Sequence, residues 1–262
     1  MFRPRLITVL LLHGGGLVKT VQFRDPVYVG EPMNAVKIFN DLEADEIIML
    51  DIDAGREGRC ISTELIRKIG DESYIPFAAG GGIRTVEEIG AIIQNGAEKV
   101  VLGRAAIDQP ELISTSANIF GSQSIIVCLD VQRHADNSAE VYTDNGTRLT
   151  GLEPVAFARQ MAAAGAGELI VQSITSDGCR TGYDINLIRA VSEAVDIPVI
   201  ALGGAGCEDD FAEVIRRGGA SAAAAGSFFV FVGRKHAVLI NYPDKEELTD
   251  IFLNVYQDQT RQ

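Results

Sequence analysis

The chain repeats itself. Ile75-Pro76-Phe77-Ala78-Ala79-Gly80-Gly81-Gly82 recurs as Ile197-Pro198-Val199-Ile200-Ala201-Leu202-Gly203-Gly204, 122 residues later. The same offset carries Glu46-Ile47-Ile48-Met49 onto Glu168-Leu169-Ile170-Val171. Gly96-Ala97 before Gly103-Arg104 recurs as Gly219-Ala220 before Gly226-Ser227 at an offset of 123, and Leu6–Leu11 matches Ile125–Asp130 at 119. Four apolar runs therefore repeat in order with almost no gaps, which marks a duplicated unit. The runs alternate with helical stretches such as Thr85–Asn95 and Asp209–Arg217, so each half reads as four β/α units on a parallel sheet. Apolar runs without strict alternation suit strands buried on both faces. The expectation is α/β: a (β/α)₈ TIM barrel, one domain over 1–262, with half-barrels at about 1–120 and 121–245 and a C-terminal extension at 246–262. An open doubly wound sheet is the alternative. Gly14-Gly15-Gly16 is followed by Leu17-Val18-Lys19 and not by a dinucleotide fingerprint.

Composition narrows the function. Net charge is -13, with Lys+Arg 23 against Asp+Glu 36, and no basic cluster stands out, so a nucleic-acid partner is not expected. Hydrophobic residues make up 47%, yet no apolar stretch reaches the roughly 18 residues a transmembrane helix needs. The apolar start, Met1 to Leu12, leads into glycines and reads as strand 1 rather than a signal peptide. Cys60, Cys128, Cys179 and Cys207 have no CxxC spacing and read as reduced thiols of a cytoplasmic protein. His13, His134 and His236 are scattered, so neither a metal nor a cofactor is called for.

Barrel chemistry sits at the carboxyl ends of the strands. Gly80-Gly81-Gly82 ends strand 3, Gly103-Arg104 strand 4, Gly203-Gly204 strand 7 and Gly226-Ser227 strand 8. Glycines there let backbone N–H groups approach a phosphate, and a following helix N-terminus adds positive potential. Each half thus forms one cradle, implying a small-molecule substrate with a phosphate or diphosphate at each end; tight turning alone is the plainer explanation. Asp130 ends strand 5, Asp177 follows strand 6, and Asp51 and Asp53 end strand 2. Asp130 is the candidate acid/base or substrate contact, while Asp53 and Asp177 suit capping equally well. The repeat partner of Asp130 is Leu11, which cannot transfer a proton. Gly14–Gly16 reads as a mobile lid loop, from which Lys19 either reaches a ligand phosphate or lies on the surface.

Four charged residues, Arg5, Glu46, Lys99 and Glu168, precede or open strands 1, 2, 4 and 6 at their amino ends. Facing inward, they would need mutual pairing. Such a ring serves either stability or gating along the barrel axis.

Together these residues resemble the cyclase subunit of imidazole glycerol phosphate synthase over about residues 5–232. That resemblance implies a bis-phosphate substrate held across two phosphate sites. It also implies a glutaminase subunit at the amino face and ammonia passing a gate formed by Arg5, Glu46, Lys99 and Glu168. It places Gly81-Gly82, Gly103-Arg104, Gly178, Gly203-Gly204 and Gly226-Ser227 in phosphate loops, with Gly103-Arg104 where the family usually has Asn-Thr. Asp130 matches one of two catalytic aspartates and Asp177 a further active-site aspartate. Leu11 stands where the other catalytic aspartate belongs. The segment from Phe228 through Arg234-Lys235-His236 to Pro243 also departs from the histidine-pathway pattern. Both departures resemble the branch associated with glycosyl amidation, which works beside a glutaminase and a sugar amidotransferase to turn an acetamido group into an acetamidino group. Three functions stay open: an ammonia-receiving synthase subunit serving sugar amidation, a histidine-pathway cyclase, and a non-catalytic ammonia-conducting scaffold.

Overall fold

The computed structural model describes residues 3–233, 237–253 and 255. Eight parallel strands close into a barrel: β1 (Arg5–His13), β2 (Glu46–Asp51), β3 (Phe77–Gly80), β4 (Lys99–Leu102), β5 (Ile125–Arg133), β6 (Glu168–Ser173), β7 (Val199–Leu202) and β8 (Ala222–Ala225). Each pairs with its sequence neighbours, and β8 pairs with β1, so no barrel edge is left open. Outside them lie α1 (Pro32–Asp41), α2 (Thr63–Glu72), α3 (Val86–Gln94), α4 (Glu111–Phe120), α5 (Pro154–Ala164), α6 (Ile185–Ser192), α7 (Glu208–Gly218) and α8 (Lys245–Phe252). The closed barrel is the expected (β/α)₈ fold; the open sheet is excluded.

Alternate residues of each strand face opposite sides. The inward set, Ile7, Val9, Ile48, Ala78, Val101, Ile126, Ile170, Ile200, Leu202, Ala222 and Ala224, forms an apolar cluster along the axis. Leu11, Leu50 and Cys128, partly buried, extend it to the mouth. Outward residues pack on the helices, with Phe39, Phe157 and Phe211 fully buried. Truncating one of them to alanine costs about 3–5 kcal/mol.

Helix starts use local chemistry. Thr85 and Glu88 form a reciprocal capping box at α3, directly after Gly80-Gly81-Gly82. Asp184 caps α6 through the N–H of Leu187 and also receives Arg133 at 2.7 Å. In the divergent segment, Phe228 and Phe229 stack with Phe211 and Tyr242 at centroid separations of 4.9 to 6.0 Å. The Tyr242 hydroxyl donates to Leu6 O at 2.6 Å, which ties the approach to α8 onto β1. Arg234, Lys235, His236 and most of the tail beyond α8 lie outside the described residues.

Candidate active site

Two excursions roof the carboxyl end of the barrel. After β1 the chain turns at Gly14-Gly15 into an antiparallel pair, Gly16–Val21 with Arg24–Gly30. The segment expected to be a mobile lid loop is thus a tight hairpin turn, because Leu11–His13 pairs directly with Gly16–Val18. After β5, Ala139–Thr143 pairs back on β5, and Asn145 reaches across to donate to Ile52 O at 2.8 Å. Beneath this roof lie a cleft of about 850 Å³ on the first-half side and a recess of about 30 Å³ on the second-half side.

The glycine loops fall where the sequence puts them. Gly81, Gly82, Gly103 and Arg104 line the cleft; Gly178, Gly203, Gly204, Gly226 and Ser227 line the recess. Gly82 and Gly204, repeat partners, both have positive φ, and a Cβ would lie 1.9 Å from Arg59 O and 2.0 Å from Gly182 O respectively. The neighbouring loop alone therefore requires glycine at both positions, and the close turning that results also exposes backbone N–H groups ahead of α3 and α7.

Lys19 is buried rather than exposed. Its ammonium donates to Val9 O at 2.5 Å and presses against Gly226, whose Cβ would lie 2.7 Å away. Desolvation lowers its pKa to about 8, with nearby Asp177 opposing the shift. Asp177 accepts from Thr20 Oγ1 at 2.9 Å and, through its backbone oxygen, from the N–H of Gln22 at 2.9 Å. Burial raises its pKa, although the hydrogen bonds from Thr20 and the Phe23 N–H and the charge of Lys19 oppose the shift. Asp177 thus ties the β1 hairpin to the loop after β6 while facing the recess.

Asp130 faces the cleft. Cys128 lies below it on the same face of β5, Sγ to Oδ1 3.5 Å, and among the described residues no cation is within ion-pair range. Burial lifts the Asp130 pKa to about 6, helped by the charge of Asp177 and opposed by the Cys128 contact. Burial also pushes the Cys128 thiol well up. Leu11, on β1, lines the same cleft from the opposite side of the barrel. Gln172 lines both cleft and recess and stands beside Asp130 in register.

The strand 2 carboxylates are occupied elsewhere. Asp51 pairs with Arg59 at 2.6 Å. Asp53 receives His13 Nδ1, the Gly14 N–H and Arg56, each at 2.9 Å, which together hold its pKa low against burial. Asp53 is therefore a hairpin staple. The Arg104 guanidinium turns outward to Asp108 at 2.9 Å and Asp144 at 3.0 Å, leaving the backbone of Gly103-Arg104 to face the cleft.

At the opposite end the four charges meet. Arg5 bridges Glu46 at 2.5 Å and Glu168 at 2.9 Å, and Lys99 bridges the same two carboxylates at 3.0 Å each. The result is a closed, alternating ring across the barrel base. Glu46 is almost fully buried there.

Sequence reading missed Gln172, Thr20, Arg56 and Arg84, all of which line the cleft or recess. Inward strand parity, counted up β6 from Glu168 through Ile170, is the signal that would have found Gln172.

The fold is a closed (β/α)₈ barrel with glycine loops at its mouth and a paired charged ring at its base. Histidine biosynthesis proteins match residues 5–234 as a family. A Vibrio vulnificus protein provisionally named imidazole glycerol phosphate synthase subunit hisF3 is 45% identical over 94% of this chain and 95% of its own length. A Leptospira interrogans protein provisionally named a HisF subunit is 40% identical over 96% of this chain and 100% of its own. The imidazole glycerol phosphate synthase subunit HisF of Alkaliphilus metalliredigens is 44% identical over 87% and 91%. The chain belongs to the histidine biosynthesis protein family, among its HisF-type cyclase subunits.

Proposed function

We propose that this chain is a HisF-like synthase subunit that receives ammonia from a glutaminase docked at the amino face and supports amidation, acetamido to acetamidino, of a nucleotide- or surface-sugar precursor beside a sugar amidotransferase. The observation that carries the reading is Leu11. It lines the cleft opposite Asp130, at the repeat-equivalent position, and removes one half of a two-carboxylate proton relay. A positioned acid/base contributes about 10²–10⁴ in rate, so a cyclase lacking one is severely handicapped. The paired ring supports the partner and the conduit: beyond it the axis is lined by apolar side chains up to Asp130, which favours passage of neutral ammonia over ammonium. Lys19 and the glycine loops support anion binding, and Asp130, with its raised pKa, is the candidate group for exchanging a proton at the mouth. No helix among the described residues is long and apolar enough to cross a membrane, in keeping with a partner and substrate met in the cytoplasm.

The test is to incubate the barrel with the histidine-pathway bis-phosphate and ammonium, then with the co-encoded glutaminase and glutamine. Turnover at about 1 s⁻¹ or more would replace this reading with the ordinary cyclase, which the similarity to the Alkaliphilus protein favours. Absence of a complex with the glutaminase at tens of micromolar would remove the partner.

A further inference from the structure

The cleft and the recess descend from the same repeated loops but are lined by different charges. Three arginines, Arg56, Arg84 and Arg104, line the first-half cleft from the loops after β2, β3 and β4. At the repeat offsets of 122 and 123 their second-half counterparts are Gly178, Gly206 and Ser227. The second half keeps one arginine nearby, Arg180, but it donates to Gly206 O and does not line the recess. Its cation is Lys19, lent by the β1 hairpin.

Space differs in the same sense. The recess is closed by backbone: a Cβ on Gly178 would meet Thr20 O at 2.2 Å, and one on Gly203 would meet Ser173 O at 2.8 Å. At about 30 Å³ the recess is small and walled by backbone. The cleft is about 850 Å³, and beside Gly103 the space is open, with nothing within 4 Å of where a Cβ would be. Phe23 and Tyr142 add aromatic surface to its wall.

The cleft also contains carboxylates, which would repel an anion if they were free. Asp51 is held by Arg59, Asp108 by Arg148 and Arg104, and Asp144 by Arg104. Only Asp130, at the central end, has no cationic partner among the described residues. Conversely, Arg84 stands two residues beyond Gly82 with its guanidinium on a backbone oxygen, Gly58 O at 2.6 Å, and no carboxylate partner among the described residues. An arginine so placed keeps donors for a ligand, and its planar fork suits phosphate oxygens.

We propose that the first-half cleft binds a diphosphate ester, two linked phosphates carrying a glycosyl or nucleoside group, whereas the recess binds at most a single phosphate. The two phosphates lie along Gly81-Gly82 and the backbone of Gly103-Arg104 under Arg84 and Arg56, and the organic group lies toward Tyr142 and Phe23. This rests on the reading that both cradles take anions, and it names the substrate class for that reading.

The experiment is titration calorimetry of the full chain at fixed salt with orthophosphate, pyrophosphate, uridine diphosphate and uridine diphosphate N-acetylglucosamine. The expected result is at least about tenfold tighter binding of pyrophosphate and the diphosphate esters than of orthophosphate. The variant Arg56→Gly/Arg84→Gly, which gives these two positions their second-half residues, should lose that preference and keep orthophosphate binding. Both arginines are exposed, and an unchanged melting curve checks the fold. Lys19→Met should remove the orthophosphate site and spare diphosphate binding. Equal affinity for orthophosphate and pyrophosphate overturns the proposal alone, as does a preference that survives the double variant. Esters weaker than pyrophosphate would remove the organic group from the cleft. Absence of all anion binding would overturn the proposal together with the anion-binding reading beneath it.

Discussion

Leu11 and Asp130 occupy the same place on repeated strands, four strands apart in the closed barrel, and line one cleft from opposite sides. One is apolar. The other is a partly buried carboxyl whose pKa is raised to about 6. The ring at the base is divided in a related way. Glu46 and Glu168 are repeat partners, but the cations Arg5 and Lys99 both come from the first half, where the second has Ser124 and Ala222. Duplication thus supplied the backbone twice, and single side chains have since divided the work. The second half keeps the titratable group at the mouth, and the first half supplies the cations of the ring.

The sharpest way to break the contrast at the mouth is Leu11→Asp. The native chain is expected to cyclise the histidine-pathway substrate little or not at all. Restoring a carboxylate opposite Asp130 should raise the rate with ammonium by up to about 10²-fold, less than the 10²–10⁴ of a fully positioned acid/base, because a site shaped for leucine raises the new group's pKa. Single-turnover rates for native, Leu11→Asp and Asp130→Asn chains decide it. A native rate equal to that of Leu11→Asp would erase the distinction between the two positions.

At the base, Glu46→Ala leaves Arg5 and Lys99 sharing Glu168 alone. Breaking a buried pair from one side costs about 3–5 kcal/mol, visible as a large drop in the denaturant midpoint. Arg5 is the most exposed member of the ring, so Arg5→Ala should cost less, about 1–2 kcal/mol. Equal costs would mean the ring is not the closed circuit the geometry describes.

Asp130 also sets a pH dependence. Its folded pKa of about 6 exceeds the ordinary 3.8, so between those values the folded chain holds the proton more tightly than the unfolded one. Stability contributed by the protonated form is therefore lost as pH rises from about 4 through 6. Asp130→Asn should abolish that loss, gaining roughly 1–3 kcal/mol over native at pH 8 and nothing near pH 3. Urea melts across this range test it; a gain independent of pH would assign the effect to packing rather than titration.

The fold was legible because the repeat and the apolar runs are local signals, and strand–helix alternation over two equal halves admits few closures. The glycine loops, Asp130 and the ring charges were legible for the same reason: they stand at fixed distances from recognisable strands. Other features depend on register and long-range pairing. Lys19 reads as a loop residue until Gly16–Val21 folds back on β1 and carries its ammonium beneath Gly226. Asp53 reads as a spare acid until His13, some forty residues earlier, meets it across the mouth. Arg104 reads as a phosphate ligand, whereas its guanidinium is turned to Asp108 and to Asp144, which only the strand pairing after β5 brings near.

Lys19 supplies the smallest expected effect and compares the two cradles directly. Its pKa is lowered to about 8, from an ordinary 10.5, because burial disfavours the charged form. An anion seated at Gly203-Gly204 and Gly226-Ser227 would favour that form, so binding near pH 8–9 must take up a proton. Orthophosphate affinity at the recess should therefore fall as pH rises through about 8, by up to tenfold per pH unit once the free lysine is neutral, or about 1.4 kcal/mol per unit. At the cleft, arginine stays charged throughout this range, so pyrophosphate affinity there should change little between pH 7 and 9. Titrations of both anions in buffers of different ionisation enthalpy separate proton uptake at the recess from its absence at the cleft. Parallel pH profiles for the two anions would show that Lys19 does not serve the recess as the buried geometry indicates.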